Sequence, residues 1–440
     1  MSKYKPYPKY KDSGVEWLGE IPEHWTTPKL KLFISTTKGF AFKSNDFIEE
    51  GVPVVKMSEI KNGTINESSV FLPERFKQSH KKVMLTYQDI VVSTVGSSAE
   101  VKNSAVGQIG IVPEIHNESL LNQNTVVFSP NRKVLSNSYL PYVLKSQAYR
   151  EHLDLHAHGT ANQASLNLED MLKFVFSFPP LQEQKTIATY LDIATAKIDT
   201  LIEKQTRLIA LLKEKRQAVI STAVTRGLDS SVPMKESGVE WLGEIPVGWE
   251  VKKLKYNLTL QTKKVEITNQ QVIALENIAG WSGKYVATNS KYQGDDVEFQ
   301  SGDILFGKLR PYLAKVYKAD EEGVAFGDIL VYRPNQFTDA TFAFYTMISE
   351  TFIDIVDGST YGSKMPRASV DFVSDMPMAT PAKQEQEKIA NYLDDKTQKI
   401  DNLITKATKA IDLLKERRTA LISAVVTGKV DVRNEDKGEI

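Results

Sequence analysis

Residues 11–25, KDSGVEWLGEIPEHW, return as residues 235–249, KESGVEWLGEIPVGW, with twelve of fifteen positions identical. Farther along, residues 182–225 align without a gap on 384–427, with 27 of 44 positions identical. A tandem duplication constrains the fold more than any local motif does, because it sets a period of about half the chain and lets each half close around its own core. Two alike ends therefore enclose an unlike middle. A chain of 440 residues is too long for a single core and suits two to four domains.

The second repeated block has the pattern of a long helix. From Ile187 onward apolar residues recur in steps of four and three: Ile187, Leu191, Ala194, Ile198, Leu201, then Leu208, Leu212 and Val219. The other copy keeps this heptad seam at Ile389, Leu393, Ile400, Leu403, Ala407, Ala410, Leu414 and Leu421, with Gln205, Lys215, Lys396 and Arg417 interrupting the two. Pro179, Pro180 and Pro381 lie just upstream, where proline closes a strand or opens a helix. At ~1.5 Å per residue such a helix would be roughly 65 Å long, and one apolar stripe of that length requires a partner. The other copy is at hand. An antiparallel pair about a pseudo-twofold axis would place the variable domains at opposite ends, and a parallel homodimeric zipper is the competing reading.

Between heads and helices lie two regions, about 26–178 and 250–380, with short β-like runs at Val52 to Lys56, Ile90 to Val95, Ile109 to Pro113 and Thr125 to Phe128. The second region has Val272 to Leu275, Asp303 to Phe306, Ala314 to Tyr317 and Ile329 to Tyr332, and helical stretches follow near 138–152 and 339–356. This predicts α+β domains. They share only scattered elements, such as Gly159-Thr160 before Ala164-Ser165 against Gly362-Ser363 before Ala368-Ser369, and the second is 22 residues shorter. One fold with different surface residues suits two different recognition tasks.

No chemistry of catalysis is legible. The chain has no phosphate-binding G-x-x-x-x-G-K-[ST] loop, no dinucleotide fingerprint and no nucleophile elbow. His152 and His156 have a metal-compatible i, i+4 spacing near His158, but the second half has no counterpart, so a polar helix end is the expectation. With no cysteine, disulfides and thiolate metal sites are excluded, and a reducing compartment fits. No apolar run approaches the roughly 20 residues of a membrane span. Fifty-five basic against 55 acidic residues argue against a protein that grips nucleic acid alone by bulk charge. The helical blocks are mildly basic, with eight Lys/Arg against five Asp/Glu over 182–226 and nine against seven over 384–429, which reads as a solvated face. Trp17, Trp25, Trp241 and Trp249 read as packing anchors for each domain's entry.

SGVEWLGEIPxxW opening each half, a divergent domain after it, and P-x-x-Q-E-Q-x-x-I-A-x-Y-L-D leading into a long helix together resemble the specificity (S) subunits of bacterial Type I restriction-modification systems. The resemblance covers nearly the whole chain, each part occurring twice in the same order. It implies a first target recognition domain at 1–178, a central spacer helix at 179–228, a second recognition domain at 229–380 and a C-terminal spacer helix and tail at 381–440, the helices pairing as an antiparallel coiled coil. Each recognition domain would read one half of a split double-stranded DNA target, while the helices set the spacing and dock two methyltransferase subunits, with restriction/translocase subunits completing a cytoplasmic complex. Catalysis would lie elsewhere, with AdoMet on the methyltransferase and ATP and Mg on the restriction subunit. The Asn-Pro-Pro-aromatic motif of amino-methyltransferases is absent, Pro179-Pro180 being flanked by Phe178 and Leu181. A target adenine would be flipped into the partner's pocket.

Base readout requires donors and acceptors that reach groove edges, Arg suiting guanine and Asn or Gln adenine. In the second domain the candidates are Lys308, Arg310, Tyr312 and Lys315, followed by Tyr361, Ser363, Lys364 and Arg367. In the first they are Thr94, Ser97, Ser98, Lys102 and Asn103, with Thr160, Asn162 and Gln163. Some would hold phosphate and carry no sequence information. Two other readings stand beside this one: a coiled-coil scaffold that joins protein partners without DNA recognition, and a self-sufficient enzyme with an unrecognised site.

Overall fold

The variable middles, unlike in sequence, are built on the same four-stranded antiparallel core. In the computed structural model, which describes residues 5–61, 63–97, 106–160, 163–267, 270–362 and 364–433, strand Ile34–Lys38 pairs with Thr125–Pro130, that strand with Ile90–Ser93, and that one with Ile109–Ile111. The second region repeats the order with Leu258–Gln261, Ile329–Pro334, Ile304–Gly307 and Val316–Lys318. Alternation explains why these strands read as short continuous apolar runs. Ile90, Val92, Val126 and Phe128 face one core and Val91 and Val127 another, so the sheet is covered on both sides. Likewise Ile304, Phe306, Leu330 and Tyr332 face one side, and Leu305, Ile329 and Val331 the other. Helices Leu140–Leu144 and Gln147–Leu155 follow the first sheet, and Ala340–Ile348 and Glu350–Gly358 the second.

Two helices dominate by length, Leu181–Arg226 with 46 residues and Lys383–Val426 with 44. The chain folds as two compact units, one formed by Met1–Glu203 with Ile411–Ile440 and the other by Lys204–Ala410. Each unit therefore takes one variable domain and a part of each long helix. In the first unit Arg433 lies 4.0 Å from Glu183 and Arg418 lies 3.0 Å from Asp199, so one helix ascends in number as the other descends. The second unit pairs Arg216 with Asp401 at 3.2 Å, and a Cβ on Gly227 would lie 3.6 Å from Glu385. Within each unit the helical segments run antiparallel.

Burial divides the apolar stripe. Ile187, Leu191, Ile198, Ile389, Leu393, Ile400 and Leu421 are buried, and Leu212 and Leu414 are half-buried. Leu201, Leu208 and Leu403, expected in the seam, are instead 45%, 43% and 50% exposed. The reason is coverage: Ile187, Leu191 and Ile198 lie in a core that includes the first sheet, and Ile389 and Leu393 in one that includes the second, whereas a helix meeting only another helix buries part of its stripe.

The repeated head motif is a hairpin. Tyr10–Asp12 pairs with Glu20–Pro22, and Met234–Glu236 with Glu244–Pro246, in the same register. Its second tryptophan is the anchor, Trp25 and Trp249 being 0% and 2% exposed, while Trp17 lies at the surface stacked on Phe174. Each anchor meets the glycine that ends a long helix. Gly428 packs on Pro22 and Trp25, and Gly227 on Trp249 and Pro246. In the second unit the helix and head are joined by the covalent segment after Gly227. The first unit joins them by contact: Tyr10 Oη donates to the Gly428 carbonyl at 3.0 Å and the Asp431 N–H donates to the Lys5 carbonyl at 2.9 Å, while Tyr7 Oη ties the head to the other long helix by donating to Glu183 at 2.7 Å.

The Q-E-Q and Y-L-D motifs are helix-to-domain fasteners. The fully buried Gln184 side chain accepts from the Ser136 N–H at 2.8 Å and donates to the carbonyls of Val134 and Pro179 at 3.0 and 2.9 Å. Gln386 repeats all three bonds with Asp339, Phe337 and Pro381. Asp192 accepts from Tyr142 Oη at 2.5 Å and Asp394 from Tyr345 Oη at 2.8 Å. Burial, reinforced by these carboxylates, raises both phenols above their ordinary range, so they remain donors. Replacing Gln184 by Ala leaves one N–H and two carbonyls without their partner, at about 1–3 kcal/mol for each buried group left unsatisfied. A destabilisation of about 3 kcal/mol or more is expected in denaturant unfolding, with Gln386→Ala giving a like loss. A loss below about 1 kcal/mol would show that water takes the amide's place.

Candidate nucleic-acid interface

In both units the candidate residues gather where the second strand of the sheet ends. In the first, the chain leaves Ile90–Ser93 at Thr94, whose N–H donates to the Asn124 carbonyl and whose carbonyl accepts from the Leu166 N–H, each at 2.8 Å. Val95–Gly96 then pairs with Gln163–Leu166, and that strand with Ala157–Thr160, in a three-stranded ribbon. Thr94 and Ser97, remote in sequence from Thr160 and Gln163, are thereby joined in one small sheet. Gly159 is required at its bend, since it has φ +123° and a Cβ there would lie 2.3 Å from the Gln163 carbonyl oxygen. Gln163 is exposed, and Thr94 and Ser97 are half-buried. Ser98, Lys102, Asn103 and Asn162 lie outside the described residues, as does the side chain of Thr160.

The second unit repeats the junction with other side chains. The Lys308 carbonyl accepts from the Ala368 N–H at 2.9 Å, the counterpart of the Thr94–Leu166 bond, and the Arg310 N–H donates to Pro366 at 2.8 Å. Arg367 is bridged to both Leu309 and Tyr361, so the segments at 308–315 and 361–367 lie side by side. Arg310 sits at φ +50°, a left-handed conformation uncommon for a side chain of its size. Tyr312 and Tyr361 are 46% and 66% exposed, and Lys364 is exposed. Ser363 lies outside the described residues.

Charge sorts these residues. Arg367 grips Asp328 with Nε at 3.2 Å and Nη2 at 2.9 Å, and Lys308 lies 3.7 Å from the same carboxylate. That carboxylate raises the Arg367 pKa. Lys315 turns inward, donating to the carbonyls of Leu275 and Ile278, and burial lowers its pKa. The donors of Arg367 and Lys315 are thus engaged within the unit. Arg310, half-buried and with one long side-chain contact of 3.5 Å to the Lys364 carbonyl, lies beside the exposed Lys364, Tyr312 and Tyr361. Guanidinium, ammonium and phenol groups on one exposed edge can meet phosphates and groove acceptors. Of the histidines, His152 Nε2 lies 2.8 Å from the Asp170 carbonyl and His156 Nδ1 2.8 Å from the His152 carbonyl, as at an ordinary helix end. Sequence reasoning passed over a group at the same end of the first sheet, Lys38, Phe40, His80, Lys81 and Lys82. Its signal was the run RFKQSHKKV at 75–83, with four Lys/Arg and no acid.

Residues 22–211 match the model of the Type I restriction modification DNA specificity domain. The chain is 25% identical over 295 residues to the putative type I restriction enzyme MjaX specificity subunit of Methanocaldococcus jannaschii, covering 67% of this chain and 63% of that one. It is 25% identical over 252 residues to the EcoDI specificity subunit of Escherichia coli, covering 51% of this chain and 55% of that one. The matched part is thus less than two thirds of either relative. Among solved structures, the HsdS subunit from Thermoanaerobacter tengcongensis superposes with a TM-score of 0.52 at 14% identity, covering 93% of this chain and 98% of that one. A chain from a structure addressing complex assembly and conformational transition of the type I R-M system gives 0.65 at 16% identity, covering 92% and 98%. At such identities these two speak for the fold, and they do so over nearly the whole chain.

Proposed function

We propose, for a chain whose matched domain, relatives and fold all indicate a Type I restriction-modification specificity subunit, that each recognition domain reads one half of a bipartite double-stranded DNA target. The observation that carries this reading is the repeated junction: one sheet order and one carbonyl-to-amide bond, at Thr94–Leu166 and Lys308–Ala368, support different side chains in the two units. Scaffold is kept and surface is varied. In the second domain Arg310, Lys364, Tyr312 and Tyr361 form the reading and gripping edge, and in the first the ribbon around Thr94 and Gln163 does so.

The long helices dock two methyltransferase subunits and set the spacing between half-sites. Supporting this, exposed leucines recur at duplicated positions, Leu201 and Leu403 at 45% and 50%, Leu211 and Leu413 at 45% and 64%. Equivalent apolar side chains on equivalent helices suit two equal partners. The chain itself performs no chemistry: AdoMet belongs to the methyltransferase, and ATP and Mg to the restriction/translocase subunits that cleave unmodified DNA. Among the described residues no helix is long and apolar enough to cross a membrane, and the cytoplasm is the proposed site of action. Co-expression with its methyltransferase partner, followed by mapping of N6-methylated adenines across the host genome, should reveal one split motif with an unspecified gap. Methylation at a continuous motif, or none, would count against the reading.

A further inference from the structure

A cleft of about 600 Å³ opens on the first unit, lined by Lys38, Phe40, Gln78, His80, Lys81 and Lys82 among others. One wall is the end of strand Ile34–Lys38, and the other is helix Arg75–Ser79 with the turn Lys81–Val83. Its floor is rigid. The His80 ring lies 4.5 Å from Phe40 and 5.3 Å from Phe42, stacks on Phe76 at 5.4 Å, and is fixed by Ser79 Oγ at 2.8 Å from Nδ1. Its charge is uncompensated. Lys38, Lys81 and Lys82 are exposed, and none forms an ion pair with a carboxylate among the described residues, whereas nearby Lys77 is held by Glu118 at 3.2 Å.

The location matters as much as the charge. Val126 is paired with Lys38 on one side and Val92 on the other, so Lys38 and Val92 are two strand spacings apart, about 10 Å. Thr94 follows two residues later. The cleft therefore flanks the candidate reading ribbon at one end of the same sheet. In the second unit the described residues between strands Gln271–Ile273 and Ile304–Gly307 contain no α-helix in the place of Arg75–Ser79, so this wall belongs to the first unit alone.

We infer that the cleft is a phosphate clamp: Lys81 and Lys82 from one wall and Lys38 from the other hold successive phosphates of the duplex strand beside the half-site read by the first unit, over the Phe40–His80 floor. This rests on the DNA-reading function proposed above. Lysine ammonium groups act on phosphate as mobile point charges and carry no base pattern, so the clamp fixes register and leaves sequence to the ribbon. It also makes the two domains unequal in grip.

The test is a salt titration of duplex binding by the chain purified with its methyltransferase subunits, wild type against the K81Q/K82Q double variant, on target and random-sequence duplexes. Each phosphate contact contributes about 0.9 to the slope of log affinity against log salt. The expected result is a slope shallower by about 2 on both duplexes, with the methylated motif unchanged and the melting temperature preserved, since both lysines are exposed. An unchanged slope with wild-type binding intact would overturn the clamp and leave the recognition function standing. Relaxed sequence choice in one half-site would also overturn it, by making the lysines base readers, and so would loss of methyltransferase co-purification without a slope change, by making the cleft a protein-docking site. Absence of duplex binding by the wild-type complex would instead fail the recognition function itself, and the clamp with it.

Discussion

Exchanging residues 26–178 for the corresponding segment of another specificity subunit should rewrite one half of the methylated motif and leave the other half unchanged. The structure makes this segment a cassette with adjoining ends. Thr26 and Phe178 are bridged, the Thr26 N–H donating to Phe178 at 3.2 Å and the Phe178 N–H to Thr26 at 2.8 Å, and Lys29 is bridged to Val175. The second unit closes its own segment more fully, with Glu250–Lys253 paired against Pro377–Thr380 over four residues. A donor must bring the fasteners. It needs a tyrosine to donate to Asp192, and backbone groups where Ser136 and Val134 meet Gln184. Both requirements are met twice within this chain, so they concern the fold and leave the reading surface free to vary. Loss of a single half-site contact typically changes discrimination by about 1–3 kcal/mol per base pair. A whole-domain exchange should therefore replace one half-motif outright, as read by adenine methylation mapping. If both halves changed together, the domains would be reading jointly and the modular account would fail.

Replacing Gly428 by Ala should destabilise the first unit by about 3 kcal/mol, well beyond the effect of Gly227→Ala on the second. Both glycines end a long helix at φ +75°, a conformation that costs other L-residues roughly 1–2 kcal/mol. The difference lies in the head motif packed against them. A Cβ at 428 would lie 2.4 Å from Pro22 Cδ and 3.0 Å from Trp25 Cζ3, whereas one at 227 would lie 3.2 Å from Trp249 Cζ2 as its nearest neighbour. Overpacking a fully buried Trp25 and its proline adds about 1–3 kcal/mol. Because the first unit joins helix to head by contact alone, amide exchange at 421–432 should accelerate strongly in Gly428→Ala. Equal losses at the two sites would show that Pro22 yields readily and that the anchor is softer than its burial implies.

Much of the scaffold was legible from residues alone. Repetition revealed the heads and the helices, and short apolar runs located three of the four core strands of each domain, because such runs are local properties of a chain; the edge strands Ile34–Lys38 and Leu258–Gln261 carry too few apolar residues to be read this way, and the runs at 52–56 and 272–275 form strands outside the core sheet. The candidate interface was partly legible. Glycine, serine and threonine clusters marked segments that the fold brings side by side, but a loop residue's role depends on what lies across from it. Arg367 and Lys315 offer suitable donors in sequence, and the structure shows those donors engaged by Asp328 and by the carbonyls of Leu275 and Ile278. Lys81 and Lys82 were overlooked because a basic run is ordinarily a solvated face, and only the approach of Lys38 and Phe40 makes it a wall.

The duplication, the long helices and the absence of a catalytic motif were determined by sequence, since each is a matter of which residues recur and at what interval. Tertiary structure alone decided which leucines of the stripe are covered, that a buried Gln184 or Gln386 fastens each helix to its domain, and that residues about seventy positions apart meet at Thr94 and Leu166. The physical reason is the same in each case. Burial and hydrogen-bond satisfaction are properties of pairs of segments, and a sequence pattern states what each segment offers without stating what it meets.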